Sequence, residues 1–65
     1  MKDINGEEFQ VGDKLKVIKT VEDVYKFSVG DVVQCIDDDE TRACEFKNLS
    51  NGKEGYFYNY HLQKL

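Results

Sequence analysis

The sequence predicts an all-β domain of five short strands. Two observations carry this: turn-forming residues recur at short intervals, and the segments between them are rich in Val, Ile, Tyr and Phe. The turns are Asn5-Gly6, Gly12-Asp13, Gly30-Asp31, Asp37-Asp38-Asp39-Glu40, Asn51-Gly52 and Gly55, and the chain contains no proline. A third observation is the weakness of any helical pattern. In the best window, Thr20 to Phe27, Val21, Val24 and Tyr25 fall at i, i+3 and i+4. That window is too short for a helix and two of its three apolar residues are β-branched, so it reads as a structured loop.

The first strand runs through Lys14, Leu15, Lys16 and Val17, with Leu15 and Val17 on one face and the two lysines on the other. The second contains Val32 to Cys35, with Val33 and Cys35 inward. Both follow the same entrance, Gln10-Val11-Gly12-Asp13 in one case and Ser28-Val29-Gly30-Asp31 in the other. Glycine accepts positive φ and the aspartate side chain can take up local backbone donors, so each Val-Gly-Asp reads as a turn leading straight into a strand. The third strand, Arg42 to Lys47, directs Cys44 and Phe46 inward and Glu45 and Lys47 outward. The acidic stretch Asp37 to Glu40 closes its hairpin with the second strand, and a tight turn there would set Cys35 nearly opposite Cys44. Asn51-Gly52 then marks a hairpin into the fourth strand, Gly55 to Tyr58. A short turn, Asn59-Tyr60-His61, leads to a last strand from Leu62 to Leu65. The expected core is Leu15, Val17, Val33, Cys35, Cys44, Phe46, Phe57 and Leu62.

Sixty-five residues suffice for one domain spanning 1–65 and for no second. Apolar residues are 40% and charged residues 34% of the chain, ordinary for a globular protein. No apolar run is long enough to span a membrane, and Met1 to Gly6 lacks the apolar stretch of a signal peptide. Two cysteines do not make a disulfide framework, so a cytoplasmic protein stabilised by its core is expected. The net charge of −4 argues against binding a phosphate backbone by bulk electrostatics.

Two stretches, together about 22 of the 65 residues, resemble a known family. Asn51-Gly52-Lys53-Glu54-Gly55-Tyr56-Phe57-Tyr58-Asn59-Tyr60-His61-Leu62 is similar to the SH3 segment that leaves the distal hairpin and enters the final strand. Phe27 to Ile36 resembles the segment leaving the RT loop through the diverging turn. The opening Asp3-Ile4-Asn5-Gly6 followed by Val11-Gly12-Asp13 looks like that of short bacterial and phage-encoded proteins with SH3-like barrels. The resemblance implies a five-stranded SH3-like barrel that binds another protein. In the signalling members a groove of aromatic residues clamps a polyproline II helix. Here Tyr58 falls at the groove proline and His61 at the groove tyrosine. There is no tryptophan, and Val17 to Val21 carries no tyrosine, so only part of that aromatic ledge is present here.

The expected partner surface combines Tyr25 in the RT-like loop, Asp38 and Asp39 in the acidic turn, and Tyr58, Tyr60 and His61. Tyrosine gives rigid contact area at low entropic cost; the plainer reading is that these rings cover sheet neighbours. Asp37 to Glu40 could serve as a docking patch for a basic partner or imitate nucleic-acid charge. It lacks the spacing, glycine and distal glutamate of a calcium loop, and its plainer reading is a solvated hairpin tip. A second functional reading is direct nucleic-acid contact by Lys14, Lys16, Lys19 and Lys26. Acidic residues outnumber basic ones, 13 to 9, so a nucleic-acid partner is not expected. Cys35, Cys44 and His61 lack the paired spacing and the fourth ligand of a structural zinc site. No cofactor, metal or catalytic residue is expected, and the predicted function is non-catalytic protein binding by a monomer or weak dimer.

Overall fold

Twin corners set the fold. In the computed structural model, which describes residues 1–20, 26–37 and 43–65, each Val-Gly-Asp stretch forms a β-turn closed from its fourth residue to its first. Asp13 N donates to Gln10 O and Asp31 N to Ser28 O, both at 3.0 Å. The glycines adopt φ of 98° at Gly12 and 96° at Gly30, the left-handed geometry a type II turn requires at its third position. Each aspartate folds back on its turn: Asp13 Oδ2 accepts Gln10 N at 3.0 Å, and Asp31 Oδ2 accepts Ser28 N at 2.9 Å.

These corners cap opposite ends of one ladder. Strands β1 (Lys14–Val17) and β2 (Val32–Asp37) pair antiparallel, with Leu15 opposite Val33 and flanking pairs Lys14–Gln34 and Lys16–Val32. At one end Gly12 N donates to Cys35 O and Cys35 N to Asp13 O; at the other Gly30 N donates to Val17 O and Val17 N to Asp31 O. In each case a left-handed glycine and the following aspartate oppose one residue, which is a G1 bulge. Exchanging the two repeats maps each bond onto its counterpart, so a local pseudo-two-fold passes through Leu15 and Val33. The repeat legible in the sequence is this symmetry. A Cβ at Gly30 would meet nothing within 4 Å, so Gly30→Ala tests the backbone alone. It should cost about 1–2 kcal/mol, read as a lowered urea midpoint at unchanged slope.

Three further strands complete one open antiparallel sheet: β3 (Ala43–Asn48), β4 (Glu54–Tyr58) and β5 (Leu62–Lys64), in the order β4-β3-β2-β1-β5. A 3-10 turn, Asn59–His61, links β4 to β5. These two strands are the sheet's opposite edges. Laid flat, the edges of five strands would stand about 19 Å apart, whereas the step from Tyr58 to Leu62 spans at most about 14 Å. The sheet is therefore strongly coiled, consistent with overall dimensions of 25 × 20 × 19 Å. No ladder joins β4 to β5 among the described residues, so the coil is not a closed barrel.

Its concave side holds the core. All eight residues expected inside are buried, joined by Phe9 and Phe27. Phe27 stacks on Phe57 at 4.8 Å between ring centres and Phe9 lies 6.1 Å from Phe46. Both cysteines are buried, but Cys35 does not oppose Cys44. Cys35 pairs with Phe46, and Cys44 pairs with Phe57 on the next strand. Asp37 faces Glu45, so the strands are joined by a wider connection than the tight acidic turn that would set Cys35 against Cys44, and a one-residue shift between Cys35 and Asp37 then places Cys35 on Phe46.

The N-terminal segment closes the outer edge of β5. Ile4 N donates to Leu62 O at 2.8 Å, and Lys64 N donates to Asp3 Oδ2 at 2.8 Å. Asp3 Oδ1 accepts Asn5 N and Glu7 N at 2.9 and 2.8 Å. Burial pushes this carboxyl's pKa up, but the three backbone donors and the Lys64 charge outweigh it and hold the group below 3.8. No helix among the described residues is long and apolar enough to cross a membrane.

Candidate functional site

Alternation along β4 places Phe57 in the core and leaves Tyr56 and Tyr58 on the outer face, 59% and 41% exposed. The chain then turns sharply. Within the 3-10 turn, Asn59 and His61 point inward and Tyr60 points out, 43% exposed. Tyr58 and Tyr60 are thereby brought to 5.6 Å between ring centres, tilted by 32°.

Beneath this pair lies His61. Its ring meets Tyr58 at 5.3 Å and Tyr60 at 5.0 Å, both edge-on, and Phe57 at 5.8 Å. Phe27, Phe57, His61 and the two tyrosines thus form a continuous aromatic column from core to surface. The His61 carbonyl accepts Ile18 N at 2.9 Å and Lys19 N at 3.4 Å, which ties the turn to the chain leaving β1. The tyrosine pair is held from behind by packed rings and a fixed backbone.

His61 was expected on the partner surface. It is 7% exposed and packs behind the two tyrosines. The resemblance assigned it to a groove by sequence position, but the turn rotates it inward. Its Nδ1 and the Asn59 Oδ1 are buried without a hydrogen-bond partner among the described residues. Burial is the main cause, and the Lys19 charge the second, that holds the imidazole below its ordinary 6.5. The unfolded chain therefore takes up a proton at higher pH than the folded one. His61 contributes stability that is fully present above 6.5 and is lost as pH falls through its lower folded value. Urea midpoints should fall between pH 8 and pH 5, and His61→Phe should flatten that decline. Asp3 does not interfere, since its contribution is lost only below 3.8.

Tyr25, Asp38 and Asp39 lie outside the described residues. The lysines expected to share a surface are divided. Lys14 and Lys16 stand on the outer face of β1, and Lys47 joins the row Lys14, Gln34, Lys47 before it ends at Glu54. Lys26 instead turns its Nζ to Glu54 O at 3.1 Å. An open depression of about 270 Å³, lined by Glu8, Phe9, Gln10, Asp13 and Lys64, lies at the other end of β5 and includes none of the candidate residues. Comparison with protein-family models, curated proteins and solved structures gives no match for this chain.

Proposed function

We propose that this chain is an SH3-like β-barrel protein and a non-catalytic interaction module, in keeping with a bacterial or phage accessory factor, whose partner docks on Tyr58 and Tyr60. Support for the barrel reading comes from the strand order, which sets the last strand beside the first, and from the short turn that forces the sheet to coil. One observation carries the binding reading: two exposed tyrosines stand 5.6 Å apart on a buried imidazole. Pre-ordered rings lose little freedom on binding, which is what makes tyrosine effective at interfaces. Scattered apolar residues at turn tips, such as Val11 and Val29, have no such backing among the described residues.

The test is affinity capture with the intact chain. Wild type and a charge control, Lys14→Glu, should recover the same protein. Tyr58→Ala with Tyr60→Ala should lose it while unfolding at an unchanged urea concentration. Equal recovery by the double variant overturns the reading. A nucleic-acid role rests on fewer groups than the sequence offered, because Lys26 is engaged by Glu54 and the lysine row ends on a carboxylate. Retardation of DNA or RNA at low salt, abolished by Lys14→Glu, would favour that role instead.

A further inference from the structure

The two edges of the sheet are treated differently. Hydrogen bonds alternate along an antiparallel pair, so one known bond fixes the rest. Asn48 N donates to Lys53 O at 2.7 Å. With the β3–β4 register, Phe46 with Gly55 and Cys44 with Phe57 are then the bonded pairs. The N–H and C=O groups of Glu54, Tyr56 and Tyr58 must point away from β3, off the edge of the sheet. Lys26 Nζ on Glu54 O agrees with this parity. On β5, Leu62 O accepts Ile4 N, Lys64 N donates to Asp3 Oδ2, and Leu62 N turns back to Asn59 O. On β4, the outward groups of Tyr56 and Tyr58 have no partner among the described residues. Proteins commonly blunt such edges with proline, inward charge or a covering segment; here one edge is covered and the other carries tyrosine.

We infer that β4 pairs antiparallel with β4 of a second copy of this chain, about a two-fold axis at Tyr56. The occupant follows from the edge's own symmetry. Tyr56 is the middle residue of the five in β4. A two-fold there sets Tyr56 against the partner's Tyr56, with both N–H···O bonds exchanged, and sets Glu54 against the partner's Tyr58. Each facing pair is compatible: ring on ring at the centre, and a phenol hydroxyl beside a carboxylate on either side. No like charges face one another, since the two Glu54 side chains stand at opposite ends of the ladder. Glu54 O has a second lone pair for the partner's Tyr58 N–H while Lys26 keeps the first. The pairing is centred on Tyr56 and does not use Tyr60; Tyr58 is shared with the partner reading, so Tyr56 and Tyr60 are the positions that separate the two.

Five residues a side bury less than the ~1,200 Å² of a stable interface, so the dimer is weak, with Kd between about 10 µM and about 1 mM. Each copy carries −4, so added salt should tighten the association by screening repulsion. Sedimentation equilibrium of the full chain from ~20 µM to ~1 mM should show an average mass rising from one chain toward two. Tyr56→Lys sets two ammonium groups face to face across the axis and should weaken association at least tenfold, whereas Tyr60→Ala should leave it unchanged. Amide exchange on wild type gives an independent reading should Tyr56→Lys fold poorly. Protection at the Tyr56 and Tyr58 amides should rise with concentration, and that at Gly55 and Phe57 should not. A single-chain mass at ~1 mM, or association with no change at those two amides, overturns the inference.

Discussion

Replacing Phe46 by alanine should cost the chain much or all of its stability at 25 °C. Phe46 is fully buried on β3, pairs with Cys35 on one side and Gly55 on the other, and packs near Phe9. Truncating such a phenylalanine removes its transfer free energy and leaves a cavity, about 3–5 kcal/mol together. A 65-residue domain has about 3–10 kcal/mol in total. The loss therefore equals much or all of the stability, and the cavity cannot collapse cheaply because the strands on either side are tied into the ladder. Phe46→Leu refills most of the volume and should fold, with a midpoint lowered by about 1–1.5 kcal/mol. Far-ultraviolet dichroism with urea titration reads both. A cooperative transition near the wild-type midpoint in Phe46→Ala would show that the concave side of the sheet is not the core.

Phe46 also shows what alternation can and cannot reveal. A period of two states which face a residue takes, and all eight residues placed inside by that rule are inside. It does not state which residue lies across the ladder. Cys35 and Cys44 share the inner face as expected, yet the register sets Cys35 against Phe46, two residues beyond Cys44 on the same face. Phe9 and Phe27 were missed because they lie in segments with no alternation to read. Their only signal was a lone phenylalanine among polar neighbours, Glu8 and Gln10 in one case, Lys26 and Ser28 in the other. The Val-Gly-Asp repeat was legible as two turns but not as one symmetric device, since its partners are Cys35 and Val17, each supplied by the other repeat.

The candidate site divides the same way. Tyr58 and Tyr60 were legible as outward residues on β4 and the following turn. The inward rotation of His61 was not, because three residues of 3-10 backbone carry no period that distinguishes their faces. The third strand expected from the sequence ends at Lys47, which leaves Asn48 in the following turn, and turn residues are ordinarily exposed. It is fully buried.

That burial makes Asn48 the polar centre on which the second corner and the distal hairpin both depend. Its Nδ2 donates to Lys26 O at 2.7 Å and to Asp31 Oδ2 at 2.8 Å, while its Oδ1 accepts Ser50 N at 2.8 Å. Asp31 in turn holds the Ser28 turn. Alanine here strands a carbonyl, a carboxylate oxygen and an amide together, and should cost about 2–4 kcal/mol. Aspartate makes a sharper test. Asn48→Asp keeps the size and the acceptor for Ser50, but sets a second carboxylate at hydrogen-bond distance from Asp31. Two such groups cannot both ionise cheaply, so the folded pair retains a proton that the unfolded chain has already released. Its apparent pKa is then raised, and a raised carboxyl pKa makes stability grow as pH falls toward the unfolded value. Wild type has the opposite slope, since His61 loses its contribution below 6.5 and Asp3 loses its own below 3.8. Urea midpoints measured from pH 8 to pH 4 should therefore fall in wild type and rise, or fall far less, in Asn48→Asp. Parallel profiles would mean that residue 48 does not face Asp31, and the link between corner and hairpin would have to be abandoned.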